Sequence, residues 1–313
     1  MSSGDFTELE ALRFKDLSRR GFLRGVVSVG AVGLALPALS LIEACGGTTP
    51  SSSSGNDLLS KVKKAGVINI GLANDPPASI INPDGSVSGE GPYTVQKIMA
   101  KLGVPKVNGI VATFGELVPG LQAGRWDMIG GVISVTKARC ALVQYTDPFQ
   151  FNGMEIAWFP DAVSQAPTSI GDVGKRGLIV GFNAGSAYIA VSKNLGVQDS
   201  QIQQFPDTAA LLEALRTKRI QVIISDTGSL NLSPAQVAKY PFQHLDYPPD
   251  GPFIAGALAF RQTDTTIYDA FQKEFRALKA SGQFDQIAKQ FQFDPIPADK
   301  RNLTPDQVCA KVV

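Results

Sequence analysis

Histidine is almost absent: His244 is the only one in 313 residues. One imidazole argues against a metal site built from histidines and against a Ser-His-Asp triad. Cysteine is scarce, with three residues and no C-x-x-C spacing, which excludes an ordinary zinc knuckle. No charge of one sign dominates; 29 basic and 28 acidic side chains leave a formal +1, so nothing marks a nucleic-acid partner or a steering field. The Gly- and Ala-rich apolar run at residues 26–41 falls short of the ~20 residues of a comfortable membrane span. What is present is a chain 44% hydrophobic, long enough to bury a sizeable core and close to the prior for two domains.

The N-terminus reads as an address. Ser18-Arg-Arg-Gly-Phe-Leu-Arg24 matches the twin-arginine export phrase, with Arg24 for its final Lys. Leu41-Ile-Glu-Ala-Cys45 resembles a lipobox, whose cysteine is diacylated after cleavage. Glu43 stands where that pattern wants a small residue, and ordinary cleavage around residues 35–38 is the alternative. Residues 48–56, TTPSSSSGN, have nothing apolar to bury and suit a disordered tether. The expected organisation is a signal peptide over residues 1–45 and a tether over 46–57, holding a globular part beside a membrane.

From residue 58 the pattern is α/β. An amphipathic lead-in at Leu58–Ala65 precedes the apolar run Val67–Leu72, a buried strand. Asn74-Asp-Pro-Pro77 turns the chain with Asp75 at the strand's C-terminal edge, and Pro83-Asp-Gly85 signals a hairpin. Helical spacing at residues 93–102 and Phe114–Gln122 leads to residues 128–133, MIGGVI, a buried parallel strand. Beyond residue 149 the pattern restarts, with strands at residues 154–159, 178–181 and 219–225. Helices are expected at residues 187–195 and 209–215. Residues 256–261 return as a strand, followed by helices at 266–281 and 284–291. Two doubly wound, mostly parallel lobes are expected: residues 58–150 with 256–313, and residues 151–255, with crossings near 149–153 and 252–256.

Ligands bind in open α/β sheets at the C-terminal strand edges. The central strand runs into Ser134, Val135, Thr136 and Arg139. An arginine there offers a fork of donors that fits a carboxylate, although a surface ion pair with a nearby acid explains it as readily. Ser186 follows the strand at 178–181 as a helix cap, with free N–H groups suited to an anion or simply capped. Asp226 ends the strand at 219–225, as a ligand group, a helix cap or a hinge ion pair.

The spacing D-x-I-x-x-x-x-S-x-T-x-x-R, carried by Asp127, Ile129, Ser134, Thr136 and Arg139, resembles the signature of extracellular solute-binding proteins for polar amino acids. Tyr145-Thr-Asp-Pro-Phe149 is similar to the phrase with which that family leaves its first lobe. The resemblance implies a two-lobed periplasmic-binding-protein fold that closes over a solute and passes it to an ABC-transporter permease. It implies a monomer with no cofactor and no metal. By the same resemblance Ser134, Thr136 and Arg139 meet the solute, and Asp226 meets an α-ammonium. Asn74-Asp-Pro-Pro77, Val118-Pro-Gly-Leu-Gln-Ala-Gly-Arg125, Arg139-Cys140 and Cys309 look most like the ectoine- and hydroxyectoine-binding members. In those, an acid at the place of Asp75 and a cage of aromatic rings hold a delocalised cation. Phe114 falls on one cage position, whereas Ala78 and Ser134 fall on two others. Rings could come from Tyr93, Phe151, Phe182 or Phe253, each of which suits plain core equally. The implied solute is a small zwitterion, an amino acid or a compatible solute such as ectoine. The subfamily also carries cysteines at both Cys140 and Cys309, which implies that they pair, with Cys45 left to the lipobox. A rival on the same fold is a periplasmic dehydratase for cyclic keto acids, which needs a general acid; Asp75 and Glu90 are its candidates.

Overall fold

The computed structural model describes residues 57–227, 230 and 241–311. The export phrase, Cys45 and the tether up to residue 56 lie outside the described residues. In chain order the first stretch gives α1 (Leu58–Ala65), β1 (Val67–Leu72), β2 (Ile80–Ile81), β3 (Val87–Ser88), α2 (Glu90–Lys101) and β4 (Lys106–Val111). It continues through α3 (Phe114–Gln122), β5 (Met128–Ser134), α4 (Lys137–Cys140), β6 (Val143–Tyr145) and β7 (Gln150–Asn152). The second lobe holds β8 (Met154–Trp158), α5 (Ile170–Lys175), β9 (Val180–Asn183), α6 (Tyr188–Asn194), β10 (Ile202–Phe205), α7 (Thr208–Arg216), β11 (Val222–Asp226) and β12 (Gln243–Asp246). The chain then returns through β13 (Ile254–Arg261), α8 (Thr265–Ala280), α9 (Gln283–Gln290) and α10 (Pro305–Cys309).

Each lobe is built on a mixed sheet. In the first the order is β4-β1-β5-β13-β6, with β7 also paired to β13. β4, β1 and β5 run parallel, and β13 lies antiparallel to β5, β6 and β7. In the second the order is β10-β9-β11-β8-β12. There β9 is parallel to β10 and β11, while β8 is antiparallel to β11 and β12. The sheets are therefore less parallel than the sequence pattern suggests, because β13 and β8, next to the crossings, run against their neighbours.

Apolar alternation explains the central strands. Ile68, Ile70 and Leu72 of β1 are fully buried, each stabilising the lobe by about 1.5–3 kcal/mol against exposure. Phe149 packs edge-on against Phe275 and Phe284 between that sheet and α8 and α9. Asp127 of the signature is structural: its carboxylate accepts the Asn69 N–H at 2.9 Å and ties β1 to β5. Asp147 in the Tyr145–Phe149 phrase is buried too, bonded by Arg276 (2.9 Å) and Lys279 (2.7 Å) of α8.

Cys140 and Cys309 form the disulfide, with Cα atoms 5.9 Å apart. The tail is better anchored than its polar composition suggests. Pro305 opens α10 behind the Thr304 capping box, and Val308 packs into the apolar cluster of Leu117, Trp126 and Tyr145. Among the described residues no helix is long and apolar enough to cross a membrane.

Candidate functional site

The four strand ends singled out in the sequence converge. Asp75 follows β1, Ser134 ends β5, Ser186 follows β9 and Asp226 ends β11. With Phe114 at the start of α3 and Arg139 in α4 they line one cavity between the lobes, of about 610 Å³ including its open mouth. Local structure fixes each. Across the Pro76-Pro77 turn Asp75 and Ser79 exchange backbone hydrogen bonds of 2.8 and 2.9 Å, which holds the carboxyl at the strand edge. Thr136 does not line the cavity; it caps α4, its hydroxyl accepting the Arg139 N–H at 3.3 Å. Ser186 stands one residue outside the cap position, since α6 begins at Tyr188 rather than Ala187, and its hydroxyl accepts the Tyr188 N–H at 3.2 Å.

Arg139 joins the two lobes. Its Nη1 donates to the Ser134 carbonyl at 3.1 Å and its Nη2 to the Gly185 carbonyl of the second lobe at 3.0 Å. The Tyr145 hydroxyl donates to the same Ser134 carbonyl at 3.0 Å. A guanidinium carries five N–H donors, so these bonds set its plane and leave donors for a ligand. Beside it the lobes touch through backbone, with Gly115 N–H donating to Ala184 O at 3.3 Å. Gly185 has φ +75°, and a Cβ there would stand 2.2 Å from Gly115 N. Glycine is required on both counts.

The electrostatics are acidic. Burial, then the neighbouring Asp226, push the Asp75 carboxyl well above the usual carboxylate range. Asp226 itself accepts a hydrogen bond of 3.0 Å from the Asn152 amide. Two acids facing one cavity across from a guanidinium are matched by a solute that brings its own cation and its own carboxylate.

Sequence reasoning missed Gln150, Asn152, Asn183, Tyr188 and Ser225, which also line the cavity. Tyr188 is the one aromatic ring there besides Phe114, among the described residues. Its signal in the sequence is position, on the first helical residue after β9. The other ring candidates lie elsewhere. Phe182 is second-lobe core, Tyr93 and Phe151 pack on the first-lobe core, and Phe253 is exposed. Ala78 is buried in the first lobe. Glu90, a candidate acid of the dehydratase reading, starts α2 and is 1% exposed. The Gln150 amide donates to it, and burial pushes it up to about 8. It lines a second cavity, with Phe151, Glu155, His244 and Lys300, and not the first.

Residues 68–294 match the family described as bacterial extracellular solute-binding proteins, family 3. The chain is 28% identical over 242 residues to a "Probable amino-acid ABC transporter periplasmic-binding protein" of Sinorhizobium fredii, covering 73% of this chain and 78% of that one. Among solved structures it is similar to EhuB in complex with hydroxyectoine, at 28% identity and a TM-score of 0.75, covering 82% of this chain and all of that one. A mutant of ArgBP from T. maritima shares the fold at 24% identity and a TM-score of 0.65, over 75% of this chain and 98% of that one. With a family match over most of its globular part, a two-lobed fold and a cavity that collects strand ends from both lobes, the chain belongs to the bacterial extracellular solute-binding proteins, family 3, and is a solute-binding protein rather than an enzyme.

Proposed function

We propose that the chain serves an ABC importer, closing its lobes over a small zwitterion and presenting it to a membrane permease. The solute is a polar amino acid or a compatible solute of the ectoine kind. One observation carries this reading: among the described residues, one inter-lobe cavity is lined by the guanidinium of Arg139 and the carboxyls of Asp75 and Asp226. Arg139 takes the solute carboxylate. Asp75 and Asp226 take its cation, whose charge stabilises Asp75 in the ionised form that burial otherwise disfavours. Phe114 offers a ring face to that cation. Ser134 and Ser186 supply hydrogen bonds, and Thr136 acts through the backbone of Arg139. The hydroxyectoine-bound relative and the amino-acid relative support the two solute classes about equally.

The closing units are residues 58–150 with 256–313, and residues 151–255. Residues 1–45 direct export by the twin-arginine route, Cys45 carries the lipid, and residues 46–57 are the spacer. The protein then works as a monomer on the outer face of the cell membrane or in the periplasm. Native mass spectrometry of the purified protein tests the solute reading, followed by calorimetry with hydroxyectoine and the polar amino acids. One zwitterion bound per chain is expected, and its affinity should fall in Arg139→Ala. Failure of every zwitterion to bind, with an uncharged or purely anionic compound bound instead, overturns the assignment. The mass of the mature N-terminus tests lipidation of Cys45.

A further inference from the structure

Outside the solute cavity, β8 and the edge strand β12 bring three metal-ligating side chains together. The strands pair antiparallel with Asp246 opposite Glu155 and His244 opposite Ala157. Side chains alternate along a strand, so His244 and Asp246 share the face on which Glu155 stands. His244 Nδ1 lies 3.4 Å from Asp246 Oδ1 and 3.8 Å from Glu155 Oε2. One ligand atom from each residue falls within 4.8 Å of the other two.

These separations are long for charged hydrogen bonds, which run ~2.7–2.9 Å. The shorter one matches the edge of a zinc tetrahedron, where bonds of ~2.0–2.1 Å set neighbouring ligand atoms roughly 3.4 Å apart. A second observation concerns the floor of the cluster. Glu155 is 3% exposed, and its Oε1 has no hydrogen-bond partner among the described residues. A buried carboxylate oxygen left bare is costly and calls for an occupant. The rim is open, with the His244 and Asp246 side chains 52% and 45% exposed, and all three residues line the second cavity. An ion therefore has a path in and room for a water as a further ligand. The Leu230 backbone and the Asp246 side chain hydrogen-bond the Glu155 carboxyl and Asp226 lies near it, so no competing cation faces it from these groups.

We propose that Glu155, His244 and Asp246 bind one divalent transition-metal ion of the zinc type. A lone histidine rules out a set of several imidazoles, and here two carboxylates complete the set. One imidazole nitrogen among the ligands favours zinc over magnesium or calcium, which take oxygen. The ion joins the edge strand β12 to β8, independently of any solute.

The full chain, stripped with a chelator and dialysed, is titrated with zinc chloride by calorimetry, with magnesium chloride for comparison. One zinc per chain is expected, with a Kd of about 10 μM or tighter, and no heat from magnesium. His244→Ala and Glu155→Gln should each weaken zinc binding by at least roughly tenfold. His244 is half exposed at a sheet edge, so its variant keeps the fold, checked by an unchanged thermal transition in chelator. Zinc-edge anomalous scattering should put the ion between the three side chains. Absence of zinc binding below ~1 mM, or the same zinc affinity in His244→Ala as in the wild type, overturns the proposal.

Discussion

Gly185 is the position at which a single methyl should separate closure from folding. With the lobes in contact, a Cβ on Gly185 would stand 2.2 Å from Gly115 N and 2.3 Å from its Cα. Both are backbone atoms, which cannot swing aside as a side-chain tip would. Gly185→Ala also carries a left-handed penalty of roughly 1–2 kcal/mol, but that cost is the same with the lobes open or closed. Only the collision discriminates. Relieving it requires the lobes to back away by about 1 Å, a van der Waals overlap of that size. That retreat gives up the Gly115-to-Ala184 bond and the Arg139-to-Gly185 bond. The neutral bond is worth about 1 kcal/mol and the charged one about 1.5–3 kcal/mol. Solute affinity should fall by roughly 2–4 kcal/mol, or about 30- to 1000-fold. Gly115→Ala is the control. The same methyl on the other side meets Gly185 Cα at 3.4 Å, an ordinary contact, and alanine favours helix α3. Calorimetry gives the affinities, and small-angle scattering with and without solute reports whether the lobes still close. Wild-type affinity in Gly185→Ala, or equal losses in both variants, would refute the reasoning.

Glu90 gives a pH test. Its folded carboxyl, pushed up to about 8 from an ordinary 4.5, keeps a proton that the unfolded chain has released. Solute-free stability should therefore fall as pH rises through that window. Between pH 5 and 8 the loss from this group is about 3–4 kcal/mol, absent in Glu90→Gln and read from urea unfolding of both proteins. Arg139→Ala should weaken zwitterion binding by roughly 2–5 kcal/mol. Asp226→Asn should cost more than Asp75→Asn for an α-amino acid, and the order should reverse for an ectoine-type cation. No change at either acid would mean the cavity is not the solute site. Cys309→Ser opens a bridge across 169 residues and should lower stability by up to ~5 kcal/mol. Thermal unfolding with and without reductant measures it, and an unchanged transition would mean the tail holds without the bridge.

The central strands β1, β5 and β11 were legible in the sequence because their apolar runs are continuous and buried. Among the strands that the sequence pattern did not show are β6 and β7, of three residues each, and β4, β10 and β12, which lie at the edges of the two sheets. Half of β4 and most of β12 face water, so Lys106–Val111 and Gln243–Asp246 carry little apolar signal. Helix α2 starts three residues earlier than its spacing suggests, since Pro92 is tolerated in a first turn. The cavity-lining residues at strand ends were visible through turn signals and motif. Gln150 and Asn152 were not, because nothing local distinguishes a polar residue at a crossing from one on a surface. Thr136 caps the helix that carries Arg139, a role that the motif alone does not reveal.

The two segments that link the lobes are themselves laced together. Asn152, Phe151 and Gln150 of β7 pair with Ile254, Ala255 and Gly256 of β13 in an antiparallel ribbon. Two unconnected linkers would let one lobe twist, slide or roll against the other. A ribbon bends readily out of its own plane but resists stretching and in-plane shear, because those break its ladder. Motion between the lobes is thereby reduced to nearly one coordinate, a swing about the ribbon. Ser134, Arg139, Ser186 and Asp226 can then meet in a single arrangement each time, with no search over relative orientations. Gln150 and Asn152, which form the ribbon and also line the cavity, put that cavity directly against the axis of the swing.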